Sequence, residues 1–216
     1  MRICFLGESH AAQHLSKAAQ DKGFELCGLS QSPDLVFVSE DTPTDENGVR
    51  DLEPIISLVQ TALSQKAPII LTSQVYPGFT RACGNDRIFH QAETLRIKDA
   101  AERAAYPEMM IVGCADPKAP LPEAYGEYLR AFQCPVLKMT YESAEFAKMA
   151  INRFLISQVE TTNELSSLAE KCGADWNDIK TVLQHDARIG PKAYLDPGRW
   201  QDSKHLLRDY VTLKSL

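Results

Sequence analysis

The sequence predicts an α/β fold, a mainly parallel sheet covered by helices on both faces, followed by an all-α region that begins near residue 140. Three observations carry this expectation. Short apolar runs of strand length recur between stretches of helical periodicity; the first of them ends in a glycine turn that opens into a helix; and beyond Thr140 the strand-length runs cease while one helical pattern continues for about 30 residues. Strands that are apolar throughout and alternate with helices belong to a parallel sheet buried on both sides.

In chain order, Ile3 to Leu6 reads as the first strand, stopped by Gly7, and Leu15, Ala18 and Ala19 mark a helix that runs to Gly23. Phe24 to Leu29 is a second strand and Asp34 to Ser39 a third, with too few residues between them for a helix. Leu52, Ile55, Ile56, Val59, Ala62 and Leu63 follow one helical face between Val49 and Gln65, and Ala67 to Leu71 is a buried strand. Further strands are expected at Arg87 to Phe89, Met109 to Val112 and Pro135 to Met139, with a helix around Glu123 to Phe132. Ser143 is positioned to cap the long helix, whose apolar positions Phe146, Met149, Phe154, Leu155, Val159, Leu165 and Leu168 lead to Cys172-Gly173. At 1.5 Å per residue it would be about 45 Å long, a spine that needs another helix or another subunit as cover. A second helix, capped by Asp175, runs from Trp176 to about His185, and the remainder reads as an irregular tail. The expected domains are therefore 1–140 and 141–216, with no repeat or low-complexity segment.

The 216 residues are 44% hydrophobic and 24% charged, ordinary for a globular protein. A formal charge of -6 argues against nucleic acid or an anionic membrane as partner, because phosphate neutralisation needs clustered Lys and Arg. No apolar run approaches the roughly 20 residues that span a bilayer, and the first run is interrupted too early for a signal peptide. The six cysteines have no CxxC pair, which predicts no metal centre and suits a reducing cytoplasm.

Gly7-Glu8-Ser9-His10-Ala11-Ala12 stands where a Rossmann-like dinucleotide fold carries GxGxxG. The first glycine makes the tight turn, the second lets the backbone approach the pyrophosphate, and the third allows close helix packing. Here Gly7 is kept, Ser9 replaces the second and Ala12 the third. Leu29-Ser30-Gln31 occupies the place, about 20 residues on, where an acid would hold the ribose hydroxyls. Both signals of NAD binding are thus degraded, and a plain strand-to-helix turn is the competing reading.

Several stretches together resemble one family. Asp34 to Gly48, with Thr42-Pro43-Thr44-Asp45, is similar to the strand and TPTDxxG loop of the UDP-glucose and GDP-mannose dehydrogenases; Leu71-Thr-Ser-Gln-Val-Tyr-Pro-Gly-Phe-Thr-Arg81 is similar to their STVPPGTTR segment. Phe89 to Arg96 resembles YNPEFLREG, Ser143 to Phe154 the AELxKxxxNxFLA helix with Asn163-Glu164 following, and Arg188 to Lys192 is RIGPK itself. The resemblance implies NAD as cofactor, held by Gly7, Ser9, Ala12, Thr42, Pro43 and Gln74, the last standing where the family has threonine. It implies a nucleotide sugar held by Leu95, Arg96, Arg188 and Lys192. It gives Glu93 the role of positioning water for thioester hydrolysis, and it gives Lys148 and Asn152, four apart on one helix face, the role of stabilising negative charge on the sugar's oxidised carbon. Without the family, that pair would be an ordinary solvated face. The long helix of the family's central domain is its dimer core, which implies an all-α dimerisation domain and a homodimer here.

Two departures bear on activity. Where the family has a GFGGSC loop, its catalytic cysteine and then K-D, this chain has Pro197 to Asp209; counting back from Asp209 puts His205 on the cysteine's position, and no Cys follows Cys172. An imidazole cannot hold the substrate aldehyde as a thiohemiacetal and pass it on as a thioester. The family's adenosine-side segment between the second strand and the TPTD strand is also missing, and so is its third domain, which implies a trimmed sheet. The expected function is that of a nucleotide-sugar dehydrogenase homologue, impaired or limited to one hydride transfer. The alternatives are a non-catalytic scaffold and an oxidoreductase for a smaller substrate.

Overall fold

A computed structural model describes every residue from Met1 to Leu216. By compactness the chain divides into two units, Met1–Pro43 with Arg50–Lys148, and Thr44–Val49 with Met149–Leu216.

The first unit holds a seven-stranded sheet: β1 (Arg2–Leu6), β2 (Glu25–Leu26), β3 (Leu35–Val38), β4 (Ile69–Leu71), β5 (Ile88–Ala92), β6 (Met110–Cys114) and β7 (Val136–Thr140), in the order β2-β1-β3-β4-β5-β6-β7. All neighbours are parallel except β5 and β6, which run antiparallel with His90 opposite Gly113. Alternate residues of each strand feed two cores. Ile3, Leu35, Phe37 and Ile70 point to the side covered by α1 (His10–Asp21), α4 (Ala100–Ala105) and α5 (Glu123–Ala131), where Leu15, Ala104, Tyr125 and Tyr128 meet them. Cys4, Val36, Val38, Ile69 and Leu71 point to the other side, against Ile55, Val59 and Ala62 of α2 (Glu53–Leu63) and Phe79 of the short α3 (Phe79–Ala82). β3 and β4 are buried along their whole length, which is the physical reason they carry no polar alternation.

The first unit also contains the start of α6 (Tyr141–Cys172). Three features of this unit were not among the sequence expectations. The helix begins two residues before Ser143, and Thr140 does the capping, its Oγ1 accepting from the Ser143 amide at 3.3 Å. Gly113 is a packing glycine: a Cβ on it would lie 2.8 Å from that of Ala144 and 3.2 Å from the Tyr141 Cα. The helix α4 and the turn Ile97–Asp99 before it lack the apolar periodicity that would have announced them, since only Ala100 and Ala104 are buried.

The second unit is helical: the remainder of α6, then α7 (Trp176–His185) and α8 (Lys204–Lys214), with a 3-10 turn at Trp200–Asp202. Asp175 caps α7 as expected, accepting from the Asn177 amide at 2.8 Å. The irregular tail is overturned by α8, which Ser203 caps and which packs Leu206, Leu207 and Tyr210 around Ile156, Val159 and Trp200. The loop before it is stapled to α6: Thr162 Oγ1 donates to the Tyr194 carbonyl at 2.8 Å, and the Asn163 amide makes a two-way fork with Gly198, 2.8 and 2.9 Å. These side chains supply the partners that an irregular backbone otherwise lacks.

Candidate functional site

In the first unit, the order β2-β1-β3 places β2 and β3 on opposite sides of β1, so the carboxyl ends of β1 and β3 form the switch point at which sheets of this kind bind ligands. Gly7 closes β1 with φ of +106°, and a Cβ there would come within 2.5 Å of the Ser39 carbonyl oxygen, so only glycine fits. Ser9 is the N-cap of α1. Its Oγ accepts from the Ala12 amide at 3.1 Å and donates to the Ser39 carbonyl at 2.7 Å, tying the glycine turn to the end of β3.

Glu40, just beyond β3, closes the same crevice. Its carboxylate accepts from the Glu8 amide at 2.9 Å and from the Asp41 amide at 2.8 Å, while its own amide donates to Ser73 Oγ at 2.9 Å. The turn amide that faces the crevice therefore already binds an anion, and that anion belongs to the chain. With Glu8 and Asp41 beside it, this position repels a diphosphate where the dinucleotide fold needs donors. As arranged, these residues do not fit the diphosphate of NAD. Ser30 lies exposed in the 3-10 turn Leu29–Gln31, where Gln31 Oε1 accepts from the Gly28 amide at 2.8 Å and no carboxylate stands for the ribose.

Other matched residues of this unit lie on separate loops. Thr42 is buried, its amide bonded to Asp41 Oδ1 at 3.0 Å, and Pro43 is exposed. Gln74 follows β4, with its carbonyl receiving Arg50 Nη1 at 3.0 Å. Glu93 is half-buried after β5 and accepts from the Leu95 amide, so it folds back on its own loop, and Arg96 pairs with Asp99 on the surface. Lys148 is half-buried on α6.

Sequence reasoning passed over Glu145, the second residue of the AEL motif. Only 1% exposed, its carboxylate accepts from the amides of Gly78, at 2.6 Å, and Thr80, at 2.8 Å, which start α3. Burial pushes its pKa up, against those hydrogen bonds. One turn earlier Glu142 pairs with Arg81, which holds its carboxyl down at about 2. Both acids clamp the STVPPGTTR-like segment onto α6. The spacing Glu142-x-x-Glu145 was the available signal.

In the second unit the structure brings together two matched residues far apart in sequence. Asn152 of α6 donates through Nδ2 to Asp209 of α8, with Asp209 fully buried and Asn152 6% exposed. His205 lies exposed one helical turn before Asp209. The Arg188 guanidinium makes a two-point pair with Asp186 at 3.0 and 2.8 Å, and Lys192 is exposed.

These features define a class, a Rossmann-like, mostly parallel sheet followed by a helical unit. The UDP-glucose dehydrogenase of the archaeon Pyrobaculum islandicum has this fold, with a TM-score of 0.75 and 19% identity, covering 99% of this chain and 64% of that one. So does a GDP-mannose dehydrogenase from Pseudomonas aeruginosa, with a TM-score of 0.71 and 18% identity over 92% of this chain and 60% of that one. Residues 142–215 match the model for the UDP-glucose/GDP-mannose dehydrogenase family, central domain. UDP-glucose 6-dehydrogenase YwqF of Bacillus subtilis is 29% identical over 177 residues, 76% of this chain and 40% of that protein. UDP-glucose 6-dehydrogenase of Rickettsia typhi is 27% identical over 240 residues, 100% of this chain and 53% of that protein. Residues 142–215 thus correspond to the central domain of the UDP-glucose/GDP-mannose dehydrogenase family, and the chain as a whole is similar to members of that family. It spans about half the length of these curated relatives or less.

Proposed function

We propose that this protein is a nucleotide-sugar-binding homologue of these dehydrogenases that does not carry a sugar nucleotide through to the uronic acid. The observation that carries this reading is the Glu40 carboxylate seated on the Glu8 amide, which puts a negative charge where the cofactor's diphosphate belongs. The alignment of His205 with the family's nucleophile adds a chemical reason, because imidazole gives no thioester to couple two oxidations. A reading as a two-electron dehydrogenase is favoured by one observation, the Asn152–Asp209 pair, with His205 one turn away as a base. Leu95, Arg96, Arg188 and Lys192 are the positions from which the family resemblance would draw sugar-nucleotide contacts, while it gives Lys148 the role of stabilising charge at the oxidised carbon and Glu93 that of positioning water.

The same reading includes a homodimer. Phe154, Leu165 and Leu168 of α6 are 74%, 41% and 48% exposed and fall on one stripe of the helix, an apolar surface that a second copy would cover. No helix is long and apolar enough to cross a membrane. The six unpaired thiols suit the reducing cytoplasm.

The test is to incubate the protein with NAD and UDP-glucose or GDP-mannose, follow NADH absorbance, and search for the uronate by mass spectrometry. No NADH and no uronate, with a sugar nucleotide still bound in calorimetry, is the expected result. Uronate would overturn the proposal, and NADH with aldehyde alone would establish the two-electron reading.

A further inference from the structure

We propose that His10 and His14 form a binding site for a divalent transition-metal ion on the first turns of α1. The two residues are four apart on a 12-residue helix and so share a face. Their Nε2 atoms are 3.1 Å apart, while their ring centroids are 4.4 Å apart with the planes at 68°. The nitrogens are closer than the centroids, so both rings turn their Nε2 edges toward one point. Zinc–nitrogen bonds of about 2.0–2.1 Å place two ligand nitrogens about 2.9 Å apart at a right angle and about 3.4 Å apart at a tetrahedral one. The observed separation lies between these, so an ion can sit within bonding distance of both with little movement of either side chain.

The pair is also held in place. Ser9 caps the helix, and Ala12, Leu15, Ala18 and Ala19 bury its other face, which leaves His10 exposed and His14 half-buried at the surface. Without metal, one Nε2–H donates to the other Nε2. With metal, that ring carries its proton on Nδ1 instead, so that both Nε2 lone pairs go to the ion. Imidazole donors select ions of the zinc, nickel and cobalt type over Mg²⁺ and Ca²⁺, which prefer oxygen. No third His, Cys, Asp or Glu joins the pair, so the remaining positions are open to water or an external oxygen donor. The positive end of the helix dipole weakens the site. Affinity is accordingly modest and exchange rapid.

The experiment is a titration of the whole chain, stripped by chelator, with Zn²⁺ and with Co²⁺, by calorimetry and by NMR of the imidazole resonances. One ion per chain is expected, with the resonances of His10 and His14 shifted and those of buried His90 unmoved. His10→Ala and His14→Ala should each weaken binding at least tenfold, His185→Ala should not, and Mg²⁺ should give no heat. The Co²⁺ spectrum should lack a thiolate charge-transfer band, which separates this pair from the six cysteines as ligands. Circular dichroism checks that the variants stay folded. Binding by the doubly substituted chain equal to that of the natural one, or unmoved His10 and His14 resonances at saturation, would overturn the proposal.

Discussion

Replacing Glu40 should strengthen the binding of NAD and of ADP-ribose. For a phosphate oxygen to take the Glu8 amide, the 2.9 Å bond from that amide to Glu40 must open. A hydrogen bond to a charged group of this kind contributes about 1.5 to 3 kcal/mol. The displaced carboxylate then repels the diphosphate by about 1 kcal/mol in bulk water, or about 4 at an effective dielectric near 20, for charges about 4 Å apart. Glu40 is half-buried at the mouth of the crevice, which puts the repulsion toward the lower figure. Together these give about 2 to 4 kcal/mol, roughly 30- to 1000-fold in the dissociation constant. Calorimetry with both ligands on the natural chain, Glu40→Gln and Glu40→Ser reads this directly. Glutamine keeps an acceptor without charge and should gain less than serine, which cannot reach the amide. Equal constants for all three proteins, or micromolar binding by the natural one, would refute the reasoning.

His90 is fully buried and its pKa is lowered to about 4 by desolvation, so the fold holds it neutral. Its contribution to stability is complete above the unfolded value near 6.5 and is lost as pH falls toward 4, about 3 kcal/mol in all; urea denaturation at pH 7 and pH 4.5 should show His90→Gln losing less stability on acidification than the natural chain. Gly113→Ala should cost about 1 to 3 kcal/mol, because the added methyl would meet Ala144 and Tyr141, and an unchanged melting temperature would contradict that packing. Asn152→Ala should destabilise by about 1 to 3 kcal/mol and Asn152→Asp by more at neutral pH, since it sets a second carboxylate beside buried Asp209. The gap between those two variants should narrow in acid, measured by the same denaturation. Phe154→Glu should convert a dimer to a monomer in light scattering, and a natural chain that is already monomeric at high concentration would dispose of the apolar stripe as an interface.

The parts of the fold that were legible are those whose residues answer to one solvent condition. β3 and β4 are fully apolar runs bounded by turns, α2 carries clean helical spacing, and α7 has a recognisable cap in Asp175. What escaped depends on contacts distant in sequence. The antiparallel β6 pairs like any buried strand and has no composition of its own to declare direction. In α8, Arg208 and Asp209 are the buried residues, so an apolar template passes over it. At the candidate site, the matched order of motifs picked out Asn152 and Asp209, which do meet. Glu40 was read as part of a strand motif, because its hold on the Glu8 amide depends on β1 and β3 being neighbours, which only the topology establishes.

The short segment Thr44–Val49 belongs to the helical unit although it is made early in the chain. Its turn is drawn together locally, with Asp45 Oδ1 accepting from the amides of Asn47 and Val49 at 2.9 and 2.8 Å. Gly48 lies so close to Val211 that a Cβ would approach its Cγ2 to 2.8 Å. During synthesis this loop must wait for α8, roughly 160 residues later, which at about 5 to 20 residues per second is about 8 to 30 s. Over that interval the segment emerges from the ribosome with its eventual partner unmade. A nascent chain stalled before Lys204 should therefore be cleaved by protease within 44–49, and one released at Leu216 should resist.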